Sequence, residues 1–573
     1  MGARELALLA TTTAMLAALV YVLTAAGKMY WMKTFANVSR DLIWMSPLAN
    51  LVWYVVIGWS MLALIALVIG ERRGFNFGVW SLGLVFIFSL FLRFTAIHRL
   101  SALIFSAGLA MVLLRIFQRA PDAWLRRARY ARNGLALAFL AATAWVLIGS
   151  RLEHRRTVRA LPEPAAGKPN VILVIVDAMR GDVLQTAGYG RRAAPFLDSL
   201  AGTGAQFTYA FATAPWTLPS HGTMFTGRYP SRLNATFTEP LDESFPTVAE
   251  AFGANGYYNV GFTANLHYTS WESGLDRGFA EWHDFRRSFS QLLRSSELGQ
   301  LQMILEMLDT PTLPGILRAI GRRQIYVHPK PESHIANAEK STDRFLSWFD
   351  RKPARPFFAF INYYDAHWSY TPPAEYQKRF SESPSLRDLY DGEIAFVDDE
   401  LRRLFTELRN RGGLENTYVI ITSDHGELFG EHNLTTHGNS LYAPAVRVPL
   451  IIVGPGIPPA RIERAVTLRD LPSTMTQLVG IESTFPGVSL TGHLADSSFQ
   501  SSPVLAWHGG DPDSWKMVLD DEFHLVRKGE LDRLYRYRSD VVEANDLAGI
   551  PEFEPHLLRL RSALEQAQAP PRP

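Results

Sequence analysis

No cysteine occurs among the 573 residues. Disulfides, thiolate metal sites and a cysteine nucleophile are thereby excluded, and the chain carries no redox signature of either compartment. Charge of one sign is also scarce. The 57 basic and 55 acidic residues leave a formal +2, too little to argue for nucleic acid as a partner. No internal repeat of fixed period is visible. Acidic side chains are missing from every long apolar run, which removes the intramembrane carboxylates that ion transport uses.

What is abundant is apolar residues, 47% of the chain, and they are concentrated in the first 150 positions. Five apolar stretches are readable: Leu6 to Ala26, Leu51 to Gly70, Phe77 to Leu92, Leu100 to Leu114 and Leu135 to Gly149. A span needs about 20 such residues. The first two meet that length; the third and fourth are shorter, with Arg93, Arg99 and Arg115 at their ends able to snorkel. A signal peptide accounts for the first stretch and not for those behind it. The loop "RIFQRAPDAWLRRARYAR" is the most basic and is expected in the cytoplasm. With five spans the N-terminus is then cytoplasmic and the large C-terminal part external or periplasmic. "LPEPAAGKPN" reads as a linker.

From Asn170 the pattern changes. "VILVIVD", "NVGFTA", "PFFAFINYY", "TYVIITSD" and "VPLIIVGPG" are short runs rich in β-branched and aromatic residues, typical of buried strands. Helical patterns such as "SHIANAEKSTDRFLSWFD" and "DGEIAFVDDELRRLFTELRNRG" lie between several of them. This alternation predicts a doubly wound α/β domain, whose ligands sit at the carboxyl ends of the strands.

Those ends carry chemistry. The first strand ends at Asp177, the run near 420 at Asp424-His425, and the run near 360 leads into Asp365-Ala366-His367. Each acid singly is as well explained as a helix cap, and a lone histidine as a satisfied polar residue. Together they offer carboxylates and imidazole to one divalent cation such as Mn²⁺ or Zn²⁺. "APWTLPSHGTMFTGRYP" then gives Thr217 a purpose. A threonine hydroxyl is a weak nucleophile unless a base or metal lowers its pKa. Pro219 opens a helix whose N-terminus favours an anion. A metal-activated hydroxyl beside an anion site suits attack on a phosphoryl or sulfuryl group.

From about Asn170 to Gly549 the chain resembles the sulfatase branch of the alkaline-phosphatase superfamily. That branch carries a Cys/Ser-x-Pro-Ser-Arg motif followed by Thr-Gly-Arg. Here Thr217-Leu218-Pro219-Ser220-His221 leads to Thr226-Gly227-Arg228 at the same spacing. "VILVIVDAMRGD", "NYYDAHWSYTPP", "YDGEIAFVDDELRRL", "SDHGELFGEHNLTTHGNSLYAPAVRVPLIIVGPG" and "LYRYRSDVVEANDLAG" resemble further family segments in order. The resemblance implies one divalent metal ion (Mn, Zn, Ca or Mg) held by Asp177, Thr217, Asp424 and His425. Thr217 is then nucleophile as well as ligand, with His367 and His437 at the ester oxygens or leaving group. His221, Asn265 and His267 are implied as substrate contacts.

Three departures matter. Threonine at 217 cannot become the family's formylglycine. His221 replaces the motif's arginine, and Ala178 replaces a second aspartate after Asp177. A single aspartate, Asp177, with Thr217, Asp424 and His425 is instead similar to the phosphoethanolamine and phosphoglycerol transferases of the superfamily, which also carry five spans and an external domain.

The expected architecture is a five-helix transmembrane region (1–150), a linker (151–169), an alkaline-phosphatase-like α/β catalytic domain (170–495), a small antiparallel subdomain (496–549) and a C-terminal helix and tail (550–573). The first expectation for function is a membrane-anchored enzyme that cleaves or transfers a phosphoester through a covalent Thr217 intermediate, with a phospholipid or envelope glycan as partner. The alternatives are a sulfuric-ester hydrolase at the same site, or an inactive anion-binding module. "FSQLLRSSELGQLQMILEMLDTPTLPGILRAIGRRQ" has two readings, a helix pair packed on the catalytic domain and an interfacial element on the bilayer.

Overall fold

The computed structural model describes residues 2–57, 71–92, 97–164, 167–285, 287–299, 337–496, 498–509 and 513–568. Two compact units divide the chain: Met1–Arg155 with Phe285–Lys330, and Arg156–Asp284 with Pro331–Pro573.

In the first unit, four described helices are long and apolar enough to cross a membrane: Ala3–Trp31, Arg73–Phe91, Arg99–Arg119 and Pro121–Ala160. The expectation of five is corrected to four among the described residues. Most of the stretch expected at Leu51 to Gly70 falls on residues 58–70, outside those described. The apolar helix preceding them, Leu42–Val55, is shorter in its described part than the about 20 residues a crossing takes. The last helix has 40 residues and continues beyond its apolar stretch through Arg151, Arg155, Arg156 and Arg159.

The same unit holds part of the amphipathic segment. A short helix, Phe289–Arg294, sits against Leu42–Leu51. Arg287 makes two hydrogen bonds to the Asp41 carboxylate, at 2.6 and 3.0 Å. Trp53 Nε1 donates to the Leu293 carbonyl at 3.2 Å. This described part packs on N-terminal helices of the same unit; residues 300–324 of the segment lie outside those described.

The second unit is built on a nine-stranded sheet. Its strands are β1 (Asn170–Val176), β2 (Ala205–Phe211), β3 (Tyr258–Phe262), β4 (Glu281–His283), β5 (Phe357–Tyr363), β6 (Thr417–Ser423), β9 (Arg447–Val448), β10 (Leu450–Val453) and β11 (Ala460–Thr467). A two-stranded hairpin, β7 (Leu428–Phe429) and β8 (Thr435–Thr436), follows β6. The sheet order is β11-β2-β10-β6-β1-β5-β3-β4, with β9 on β2. Neighbours β6, β1, β5, β3 and β4 run parallel, while β10 is antiparallel to both β6 and β2. The sheet is therefore mixed. Strand composition carries no direction, and between β6 and β10 the described chain has a hairpin and a four-residue helix, Ala443–Val446, in place of the long crossover a parallel return needs.

Helices such as Ala338–Phe349 and Leu386–Asn410 cover the sheet, their apolar stripes buried with the β-branched strand residues. Because β2, β6, β1, β5 and β3 all point one way, their carboxyl ends share a rim. Register aligns that rim closely: Val176 pairs with both Tyr363 and Ser423, so the next residues of β1 and β6 emerge side by side.

A four-stranded antiparallel sheet completes the unit: β12 (Val504–His508), β13 (Trp515–Leu519), β14 (His524–Lys528) and β15 (Leu531–Tyr535). Its alternation is clean. Leu505, Trp507, Val518, Leu525 and Leu534 face the C-terminal helix Glu554–Gln568, whereas Val504, Ala506, Met517, Val526 and Tyr535 pack with Phe211, Tyr442 and Val446.

Candidate active site

The rim brings Asp177, Asp424 and His425 together. Their ligand atoms all lie within 4.8 Å of one another, and all three residues are buried. His425 Nε2 is 3.7 Å from Asp177 Oδ1 and 3.5 Å from Asp424 Oδ2. His425 Nδ1 bonds to the Gly426 carbonyl at 3.0 Å, which turns Nε2 toward the acids. Asp424 Oδ1 accepts from the Ala178 and His425 amides at 3.2 and 3.0 Å. Ala178 reaches that amide geometry at φ +59°, a left-handed conformation that costs a non-glycine residue energy and tends to persist at functional sites.

Two oxygens in this cluster have no hydrogen-bond partner, Asp177 Oδ1 and Asp424 Oδ2. Burial, then the neighbouring Asp424 charge, pushes the Asp177 carboxyl well above the usual carboxylate range. Two buried carboxylates with orphaned oxygens beside an imidazole nitrogen are the donor set a divalent cation neutralises.

Thr217 arrives from β2. It opens the helix Thr217–Thr226, with Trp216 as the N-cap and Gly227 closing the helix in a left-handed turn. Thr217 Oγ1 lies 3.5 Å from His425 Nε2 and 3.5 Å from Asn265 Nδ2. Asn265 also donates to Asp177 Oδ2 at 2.7 Å, so it braces the cluster itself. Its own loop is fixed by Asn362 of β5, whose Oδ1 accepts from the Ala264 and Asn265 amides. His221 lies one turn along the helix from Thr217. Its Nδ1 bonds to the Thr217 carbonyl at 2.8 Å and sits 3.7 Å from Asp424 Oδ2, while its Nε2 is buried without a partner. Burial lowers its proton affinity, so a ring that favours neutrality stands where the family motif has a fixed cation.

His437 and His367 stand beside the cluster. The His437 ring is 4.3 Å from that of His425 and 4.8 Å from that of His367. His367 stacks on Tyr364 and bonds through Nδ1 to the Trp368 carbonyl at 2.5 Å. Trp216 packs 5.2 Å from His437, over Gly438; a Cβ there would meet the indole at 2.2 Å, and φ is +72°. His267 is different. It is exposed, with its ring edge-on to Tyr268.

Sequence reasoning missed Glu427. Its buried carboxylate meets His437 Nδ1 at 3.1 and 3.3 Å. Burial pushes this carboxyl up to about 8, against the pull of His425. A glutamate two residues past His425, a candidate metal ligand, was the available signal, in a segment that otherwise reads as a capped turn.

An α/β sheet with an acid–imidazole cluster and a helix-borne hydroxyl at one rim defines the alkaline-phosphatase-like class of enzymes. Residues 169–481 match the family model described as Sulfatase. The chain belongs to the sulfatase family. It is 26% identical over 456 residues to arylsulfatase K of Xenopus laevis, covering 70% of this chain and 84% of that protein. To arylsulfatase K of Homo sapiens it is 25% identical over 379 residues, 61% of this chain and 67% of the other. Among solved structures, the phosphonate monoester hydrolase of Agrobacterium radiobacter superposes with TM-score 0.55 at 20% identity, over 70% of this chain and 96% of that one. That last likeness speaks to fold alone. Both of those relatives are named arylsulfatases, whereas residue 217 led the expectation toward phosphoesters.

Proposed function

We propose that the chain is a metal-dependent hydrolase of sulfuric esters, with Thr217 as its nucleophile. The observation that carries the catalytic reading is the placing of Thr217 Oγ1 3.5 Å from His425 Nε2, beside two carboxylates with orphaned oxygens. The choice of sulfate is supported by the names of the relatives.

Asp177, Asp424, His425 and Thr217 Oγ1 are the proposed ligands. A divalent ion bound there supplies the positive charge that lowers the hydroxyl's pKa and offsets the ester's anionic oxygens. The chain's own residues do the rest. Thr217 Oγ1 releases its proton to solvent, from which it is later regained, and bonds to sulfur as the ester's alcohol oxygen departs. An imidazole, His367 or His437, gives the departing oxygen its proton. Water then attacks sulfur, and the threonine oxygen leaves and is reprotonated. Asn265 holds Asp177 in place, His221 fixes the start of the nucleophile helix, and His267 is an outlying substrate contact.

One residue favours a second reading. A formylglycine hydrate expels sulfate by elimination, and a threonine ester has no such route. A threonine adduct resolved by water or by an acceptor hydroxyl suits phosphoryl cleavage or transfer, with a phospholipid or envelope glycan as the partner.

We also propose that the catalytic unit faces the outside of a membrane. The support is the basic stretch Arg115 to Arg132, which joins the last two apolar helices, precedes the apolar part of the last one and is expected in the cytoplasm. The catalytic unit lies outside whatever the number of preceding spans, but four spans put the N-terminus outside as well.

Turnover of a chromogenic sulfate, phosphodiester and phosphomonoester by the full chain, with Thr217→Ala alongside, tests the function. Threonine-dependent preference for the sulfate supports the first reading, and preference for the diester supports the second. Silence on all three with metal bound would point to an anion-binding module.

A further inference from the structure

Four histidines surround the nucleophile, and their Nδ1 atoms are anchored in two chemically different ways. His221 bonds to the Thr217 carbonyl at 2.8 Å, His367 to the Trp368 carbonyl at 2.5 Å and His425 to the Gly426 carbonyl at 3.0 Å. His437 bonds to a carboxylate, Glu427, at 3.1 Å. A carbonyl dipole fixes ring orientation and tautomer. A carboxylate does the same and can also share a proton with the ring, so that Nδ1 is held by the acid while Nε2 gives or takes a proton.

Glu427 is held as a positioning group must be. Its amide donates to the Pro444 carbonyl at 3.0 Å, and its carbonyl accepts from Arg180 at 3.0 Å. The preceding Gly426 is pressed so close to the Pro444 carbonyl that a Cβ would lie 2.1 Å from it. Glu427 and His437 belong to opposite ends of the β7–β8 hairpin, so the pair also ties the hairpin ends together at the rim.

We propose that Glu427 positions and polarises His437, making His437 rather than His367 the group that exchanges a proton with the leaving alcohol. With Nδ1–H held by the carboxylate, Nε2 is the nitrogen that exchanges. As the Thr217 oxygen bonds to sulfur and the ester oxygen–sulfur bond breaks, Nε2–H passes its proton to the departing oxygen. The neutral ring then takes a proton from the water that releases the adduct. The balance is the same for a phosphoryl centre. The catalytic consequence rests on the proposed hydrolase reading; the tautomer of His437 does not.

Two measurements on the full chain test this. The first compares aryl esters with good and poor leaving groups in wild type, Glu427→Gln, Glu427→Leu and His367→Gln. A leaving group that departs unaided gains nothing from an acid. Glu427→Leu should therefore lose about 100-fold with the poor leaving group and far less with the good one, with Glu427→Gln between. Equal losses on both esters, or leaving-group sensitivity confined to His367→Gln, would overturn the proposal. The second reads the ring directly by nitrogen NMR of ¹⁵N-histidine-labelled chain, with the His437 signals assigned by their loss in His437→Gln. Nδ1–H or doubly protonated His437 in wild type, changing in Glu427→Leu, is expected. An Nε2–H tautomer in wild type would sink the positioning role even if no ester tried is turned over.

Discussion

Two pairs of acids near the same rim are accommodated in opposite ways. Asp177 and Asp424, at the ends of β1 and β6, each keep an oxygen with no hydrogen-bond partner. Asp365, just past β5, and Glu393, on the helix Leu386–Asn410, are covered by amides. Ala338 donates to Asp365 at 2.5 Å, and Ala366 and Thr371 donate to Glu393 at 3.2 and 2.6 Å. Burial raises Asp177 in the first pair and both acids of the second above the usual carboxylate range. Raised proton affinity therefore does not distinguish a metal site from a structural acid. The orphaned oxygens and the facing imidazole do. The second pair has its own task, since its amide bonds fix the loop Ala366 to Thr371 that carries His367.

The comparison breaks if the two pairs respond alike. The largest expected effect is Asp424→Ala, which should abolish bound divalent metal and cost more activity than the 10–100-fold typical of an outer partner. Metal content by plasma mass spectrometry checks it, and Glu393→Gln should retain the ion. Asn265→Ala comes next. It removes the 2.7 Å brace on Asp177 and should weaken metal binding by about 10–100-fold, read by competition with a chelating dye.

The amide-covered pair should show itself in stability. Glu393 is raised by burial and then by the Asp365 charge. The folded chain keeps this proton after the unfolded chain has lost it, so stability should fall as pH rises from the ordinary carboxylate value through the raised one. The slope from one such group is at most about 1.4 kcal/mol per pH unit. Denaturation of metal-saturated protein across that range should be flatter in Glu393→Gln. The smallest effect belongs to His267→Ala. That ring is exposed against Tyr268, and its loss should change stability and turnover by less than about twofold.

Much of the rim was legible because strand ends are. Val171 to Val176 and Thr417 to Ser423 announce buried strands by composition, and parallel register brings the residues after them together without further information. Thr217 was legible through its proline and the helix behind it. Strand direction was not: "VPLIIVGPG" reads as a strand but gives no sign that β10 runs against its neighbours. Glu427 was hidden because its partner, His437, is ten residues on across a hairpin. The segment after Arg286 was unreadable for a similar reason, as the Asp41 and Trp53 side chains that receive it are over two hundred residues away.

The central claim is that Thr217 carries the reacting group beside a divalent ion. The most direct measurement is rapid quenching of the metal-loaded full chain with slowly hydrolysed sulfate and phosphate esters labelled in sulfur or phosphorus, followed by peptide mapping. The account predicts label on the peptide containing Thr217, lost on chelation and in Asp424→Ala, with the labelled element deciding between the two readings. Steady turnover with no label on Thr217, or label on another residue, would contradict it.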